Sequence, residues 1–339
     1  MSAATPLPDL PWLDAPLDAI LSRRDALPHA LLLDGPPGVG KSVLAARAAA
    51  ALLCETPTAE GRACGRCLAC GWFAQGNHPD LRRVSPIDDE AAERAGAGVK
   101  ASKDIRIQQI RELAGFIGVG THRGGRRLVL LDPADALNLE SANALLKTLE
   151  EPSPATHFIV VARRRQTLPA TIVSRCVRVD VAGPSPEQAL AWLQRTRGLN
   201  AEAAELWLAA AGGSPLRAWS LADDEQGAVH RTTLEVLARL PETGVAAGAD
   251  VLALRPAPEW VEVMQAWVAD LGRCRLGAPP RRFVSQRARL DRLARLADPA
   301  RLARFAGWLD QQGAVASHPL NARLFCERVL MQYERIFAG

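Results

Sequence analysis

Apolar residues cluster at 29–33 (His-Ala-Leu-Leu-Leu) in a run short enough for one buried strand. A glycine-rich turn at 35–42 follows, and the alanine-rich stretch 43–53 reads as a helix. Residues 54–80 carry no period and are expected to be irregular. A short candidate strand lies at 81–84. Residues 105–117 then place apolar side chains at 107, 110, 113, 114 and 117, the spacing of an amphipathic helix. The run 126–131 reads as a strand ending in Asp132, 141–150 as a helix stopped at Pro152, and 157–161 as another strand. Near-continuous apolar strands that alternate with helices predict a parallel α/β sheet.

The pattern changes after about residue 181. Ser185-Pro186-Glu187-Gln188 has a serine cap, proline at the first helical position and glutamine where a capping box needs it. Asn200 caps a second helix and Ser214-Pro215 opens a third. From 224 to the end the period stays helical, with Trp260, Trp267, Trp308, Leu290, Leu293 and Leu324 expected in a bundle core. Residues 256–258 and 277–280 read as interhelical loops, and the polar, Ala/Gly-rich stretch 91–103 as a surface excursion. No internal repeat is evident. The expected organisation is an α/β domain at 1–181, a small three-helix domain at 182–223 and a helical domain at 224–339.

Composition adds bounds to this picture. With 339 residues and 48% hydrophobic residues, the chain suits a folded protein of about two or three domains. Lys and Arg total 41 against 37 Asp and Glu, so the net charge of +4 permits a nucleic-acid partner without requiring one. No uncharged apolar run reaches the roughly 18 residues of a membrane span. The N-terminus lacks a basic segment followed by an apolar one, so no secretory signal is expected and the cytoplasm is the expected location. Seven cysteines are an odd number for a disulfide framework and favour a metal site wherever they cluster.

Two clusters carry chemistry. Gly35-Pro36-Pro37-Gly38-Val39-Gly40-Lys41-Ser42 fits G-x4-G-K-S/T in full, with a strand before it and a helix after. The glycines let backbone N–H groups turn toward phosphate oxygens, Lys41 would reach the β- and γ-phosphates, and Ser42 would hold magnesium. Asp132, ending a later apolar run, is the carboxylate able to orient that magnesium. The next position, where hydrolysing relatives usually carry a glutamate, is Pro133; Asp135 stands two places further on. The loop is built for ATP and magnesium, and the hydrolytic half is poorly equipped. Cys54, Cys64, Cys67 and Cys70 form the second cluster, with spacing C-x9-C-x2-C-x2-C. Four thiolates suit a closed structural zinc site. An iron–sulfur centre is the rival, but a ferredoxin run needs a further cysteine where Ala74 stands. Cys176, Cys274 and Cys326 are isolated and read as buried apolar positions.

Leu145-Leu-Lys-Thr-Leu-Glu-Glu-Pro152 and Ile172-Val-Ser-Arg-Cys176, behind a P-loop and a four-cysteine insertion, resemble bacterial clamp-loader subunits, AAA+ proteins of the DNA polymerase III holoenzyme. The resemblance runs from Pro11-Trp12 to the terminal helical segment 321–337 and is loosest at the C-terminal end. Departures from the motor pattern of gamma/tau favour the delta-prime type. Pro133 replaces the glutamate, and the sensor threonine position falls near Ala162, followed by Arg163-Arg164-Arg165. Gly213-Ser214-Pro215-Leu216 puts leucine where the second sensor has arginine, with Arg217 one place late. The chain also stops at 339 without a long extension, and His78-Pro79-Asp80 follows the cysteines. The intact P-loop cuts the other way and keeps a gamma/tau-type ATPase motor as the alternative.

The resemblance implies an AAA+ domain with a zinc module, a helical lid and a C-terminal collar. It implies a place in a heteropentamer with delta and gamma/tau subunits, which puts the sliding clamp on primer-template DNA. It also implies that Arg175, in Ser174-Arg175-Cys176, acts as an arginine finger on a neighbouring motor subunit. On position alone, Arg175 at the end of the α/β domain suits a structural salt bridge equally well. Arginines at 163–165, 281, 282, 287, 289 and 292 are candidates for a phosphate path, or for solvated faces paired with acidic neighbours.

Overall fold

The structure is a computed structural model that describes residues 9–87, 102–118, 121–122, 125–151, 153, 155–316, 318 and 321–337. Most of the expected excursion at 91–103, and Pro152, lie outside the described residues. The chain divides into two compact units, Met1–Pro184 and Ser185–Gly339.

The first unit is built on a five-stranded sheet. Its strands are β1 (Ala30–Asp34), β2 (Leu81–Val84), β3 (Arg127–Leu131), β4 (Thr156–Val161) and β5 (Val177–Asp180), in the order β2-β3-β4-β1-β5. Every pairing is parallel, with Leu31 opposite Ile159 and Val177, and Val129 opposite Phe158. Strand residues alternate between two covered faces. Ala30, Leu32, Val129, Leu131, Phe158 and Val160 pack with Ile110 and Leu113 of the Ile107–Gly118 helix and with Ala142, Leu145 and Leu149 of the Leu139–Glu150 helix. The intervening Leu31, Leu33, Leu128, Leu130, Ile159 and Val161 are buried as well, and the Lys41–Leu53 helix packs against β1, β3 and β4. Burial on both sides is why these strands read as continuous apolar runs.

Strand β5 escapes that reading. It is an edge strand whose residues are mostly exposed, so no apolar run marks it. A second departure is the Leu68–Ala74 helix inside the segment expected to be irregular; it starts at Cys67, whose Sγ accepts the Cys70 N–H at 3.4 Å.

The second unit is helical throughout its described residues. Ser185 makes a full capping box with Gln188, while Asn200 and Ser214 cap the next two helices through their side chains. The Asp224–Leu252 helix breaks at Gly244, where φ is 78° and ψ 166°, a conformation open to glycine and closed to L side chains. Trp260, Trp267, Leu290 and Leu293 lie in the core as expected, and Trp267 donates its indole N–H to the Tyr333 hydroxyl at 2.8 Å. The buried Asp270 carboxylate accepts the N–H groups of Arg281, Arg282 and Phe283 at 2.8–2.9 Å and shapes the loop before Phe283.

Four expectations need correction. Leu324 is 62% exposed because it sits in the first turn of the Ala322–Glu334 helix, one step off the stripe of Phe325, Val329 and Tyr333 that faces the core. Trp308 is only half-buried. Residues 257–258 are not loop: Pro256 caps a helix that begins at Ala257. Of the isolated cysteines, Cys326 is buried, whereas Cys176 and Cys274 are half-exposed.

Candidate nucleotide and metal sites

Strand β1 delivers Asp34 to the sheet's carboxyl edge, and the loop Gly35–Ser42 turns from it into the Lys41–Leu53 helix. Gly38 (φ 70°) and Gly40 (φ 102°) supply the left-handed turns. Gly35 serves a different need: a Cβ there would lie 2.2 Å from the Val181 carbonyl oxygen, so only glycine lets the loop pass the end of β5. Val39 is buried, and its carbonyl accepts the Trp12 indole N–H at 2.8 Å, which anchors the loop to the N-terminal segment.

Lys41 is 6% exposed and donates from Nζ to the carbonyls of Gly35 at 2.6 Å and Pro36 at 2.9 Å. Burial pulls its pKa below the ordinary lysine value, against the opposing fields of Asp34, Asp135 and Asp132. Asp132 follows β3 and shares a hydrogen bond with Ser42; burial nevertheless lifts its carboxyl above the usual range. A partly desolvated carboxylate beside a hydroxyl is a pair whose charge a divalent cation would restore. The two P-loop expectations that depend on proximity, Lys41 near the loop turn and Ser42 near Asp132, are therefore brought together.

Among the described residues no glutamate follows Asp132: Pro133 has no side-chain base, and the neighbouring Asp135 carboxylate accepts the Arg163 N–H through one oxygen at 2.8 Å. Ala162, at the end of β4, is 3% exposed and presents only a methyl group. Sequence reasoning missed Asp34, which takes Arg178 at 3.1 Å and Arg165 at 3.3 Å. A carboxylate that closes an apolar run just before the glycine loop was the available signal, the same one that marks Asp132. This pairing ties Arg165 of the basic triplet into its own unit.

The four cysteine sulfurs meet. Cys54 and Cys67 are 3.8 Å apart, Cys64 and Cys70 3.9 Å, Cys54 and Cys70 3.7 Å, and all four lie within 4.8 Å. A tetrahedron with metal–sulfur bonds of about 2.3 Å has edges of about 3.8 Å. These separations exceed a disulfide bond's roughly 2.05 Å and match one tetrahedral ion. The set can hold a metal. Hydrogen bonds, the Thr56 hydroxyl first at 3.3 Å, pull the Cys64 thiol down to about 5, while desolvation pushes Cys70 up to about 12. Metal binding to such a set takes the thiolate form and releases protons.

The chain leaves this cluster through a buried polar knot. His78 Nδ1 accepts the Asp80 N–H at 3.1 Å, and Asp80 accepts the His122 N–H at 2.9 Å. Asp80 also faces Arg127 at 3.7 Å, both side chains 2% exposed. Arg83 stacks over Phe73 at 5.2 Å, which fastens the Leu68–Ala74 helix to β2. His78-Pro79-Asp80 is thus a junction between the cysteine module and the sheet.

Arg175 lies in the turn before β5, with 33% of its side chain exposed. Its guanidinium pairs with Glu150 and donates to the Thr171 carbonyl at 2.9 Å. In the second unit, Ser214 spends its side chain on the helix cap and Arg217 pairs with Glu262.

Residues 17–185 match the family described as DNA polymerase III, delta subunit. The chain is 44% identical over 212 residues to DNA polymerase III subunit delta′ of Pseudomonas aeruginosa, covering 62% of this chain and 60% of that one. It is 31% identical over 231 residues to the delta′ subunit of Escherichia coli, covering 67% and 65%. It is also 34% identical over 202 residues to the Escherichia coli tau subunit, covering 58% of this chain and 29% of tau. The chain therefore spans less than two thirds of the length of the delta′ relatives it matches. Among the described residues no helix is long and apolar enough to cross a membrane. With a complete phosphate loop, a four-cysteine insertion and delta′ relatives at up to 44% identity, the chain belongs to the delta-prime subunits of bacterial DNA polymerase III.

Proposed function

We propose that this chain is a non-motor subunit of the clamp loader. It assembles with delta and gamma/tau subunits in a heteropentamer that loads the sliding clamp onto primer-template DNA in the cytoplasm. The observation that carries this reading is a complete phosphate loop beside a site without the usual base: Pro133 follows Asp132, and Asp135, two places further on, already accepts the Arg163 N–H. Gly35–Ser42 and Asp132 would hold ATP with magnesium, and Lys41 would exchange its two loop carbonyls for phosphate oxygens. Bound magnesium neutralises phosphate charge; this chain's residues hold and orient the nucleotide. Water-positioning and basic groups contribute about 10²–10⁴-fold, so their loss silences a slow ATPase.

Arg175 would serve the neighbour as a finger. Its pairing with Glu150 is half-exposed, and such pairs are worth about 0–1 kcal/mol, a small cost for release toward a γ-phosphate. The metal of the four-cysteine cluster would be zinc, since four thiolates at tetrahedral spacing favour it and leave no open coordination position. The working domains would be 1–181, the lid 182–223 and the collar 224–339. The 34% identity to tau favours the motor as second reading.

The test is reconstitution. The chain, mixed with delta and gamma/tau of the same organism, should enter a stoichiometric complex and raise clamp loading on primed DNA. By itself it should bind ATP·Mg and turn it over negligibly. A complex of full loading activity without this chain overturns the assignment; steady hydrolysis by the pure chain, lost in Lys41→Ala, selects the motor.

A further inference from the structure

A second site lies in the other unit, outside the segment that matches the family. Between the Pro299–Val315 and Ala322–Glu334 helices and the turn after them is a cavity of about 530 Å³. Arg304, Phe305, Trp308, Gln332 and Arg335 line it. Trp308 is half-buried against Phe305, ring centroids 5.8 Å apart, and the exposed Arg328 lies over it at 5.5 Å.

Positive charge gathers at this cavity. Some surface arginines meet carboxylates, as Arg47 with Asp14, Arg62 with Asp18, Arg178 with Asp180 and Arg323 with Asp250. Among the described residues Arg304, Arg328 and Arg335 have no such ion pair; the exposed Asp298 meets the field of Arg304 and of the lining Arg301 without pairing with Arg304, and like charges gathered around one cavity repel. The Gln332 amide, a donor and an acceptor, reaches the same space. An anion relieves the repulsion, and an aromatic wall favours an anion attached to a flat ring. Guanidinium groups bind phosphate oxygens through their planar fork, and tryptophan stacks on any base.

We propose that this cavity binds one nucleotide unit, with its phosphate between Arg304 and Arg335, its base against Trp308 and Gln332 at the base edge. The unit belongs to a free nucleotide or to a single strand. The inference rests on the second unit alone and stands whether or not the P-loop binds ATP.

The test uses the full chain carrying Lys41→Ala, which disables the P-loop in every arm. Binding of a short fluorescein-labelled oligodeoxythymidylate is followed by anisotropy across a salt series, with thymidine monophosphate as competitor. Arg304→Gln/Arg335→Gln should weaken oligonucleotide binding at least about tenfold. It should also flatten the log–log salt slope by about 0.7, the share of the one phosphate the two arginines hold. Trp308→Leu should weaken binding at least about fivefold with the slope unchanged. The control pair Arg239→Gln/Arg255→Gln, outside the cavity lining, should change neither. Competition by the monophosphate that is lost in the cavity variants identifies a free nucleotide; its failure, with the oligonucleotide still sensitive, identifies a strand. The arginine pair is exposed, so it carries the test if Trp308→Leu does not fold. An arginine pair no weaker than the control pair overturns the proposal, as does displacement by polyglutamate as effective as by polythymidylate.

Discussion

Gly35 shows how one hydrogen atom decides the course of a loop. Alanine there would drive its methyl against the Val181 carbonyl, which is backbone and cannot rotate away. Gly35→Ala should cost about 1–3 kcal/mol, read as a lower urea midpoint with unchanged slope, and should weaken ATP binding with it. A wild-type midpoint would mean that the junction of β1 and β5 yields. His230 sets a second expectation. Burial, reinforced by Arg217, Arg231 and Arg282, pulls its pKa from 6.5 to about 4. The unfolded chain takes up a proton near pH 6.5 that the folded one refuses until about pH 4. Stability should therefore fall as pH drops through that window, by at most about 1.4 kcal/mol per unit, and level off below it. His230→Phe should lose that slope in urea titrations across the same window; an equal slope in both proteins assigns the acid sensitivity elsewhere. At this scale the sequence was most legible where chemistry demands a residue type, as in Gly35–Ser42, Asp132 and the four cysteines. It was silent on Asp34 and Glu150, because a partner distant in the chain gives each its role.

Elements follow the same logic. The strands buried on both faces announced themselves as apolar runs, and the caps at Ser185, Asn200 and Ser214 fixed three helix starts. Strand β5 did not, because it is an exposed edge strand that owes its place to β1. The Leu68–Ala74 helix did not either. It is 7 residues long, below the length at which a helix holds by itself, and it is anchored by Cys67 and Cys70. That dependence yields a prediction for the module. Cys67→Ser should lower bound zinc from about one ion per chain toward none, increase proteolysis between residues 54 and 80, and leave the sheet's thermal transition in place. Loss of the whole first unit in this variant would show that the module nucleates the sheet instead of extending from it. The knot of His78, Asp80 and Arg127 sets the limit to such independence, since breaking a buried ion pair costs about 3–5 kcal/mol.

At the scale of the molecule, the parallel sheet and the helical remainder were both legible, since short continuous apolar runs between helices differ from a sustained 3.6-residue period. The division of labour was less so: it rests on a proline after Asp132 and on an arginine in the turn before β5. The rate of ATP hydrolysis by the reconstituted clamp loader, measured with clamp and primed DNA, tests it most directly. Each complex carries this chain as wild type, Lys41→Ala or Arg175→Ala. Arg175→Ala should assemble normally and lower the rate, by far less than the roughly 10³–10⁵-fold of a single finger-dependent site, because motor–motor sites keep their own fingers. Lys41→Ala should leave the rate near wild type. A complex slowed by Lys41→Ala and indifferent to Arg175→Ala would contradict the account, because the chain would then be hydrolysing ATP itself.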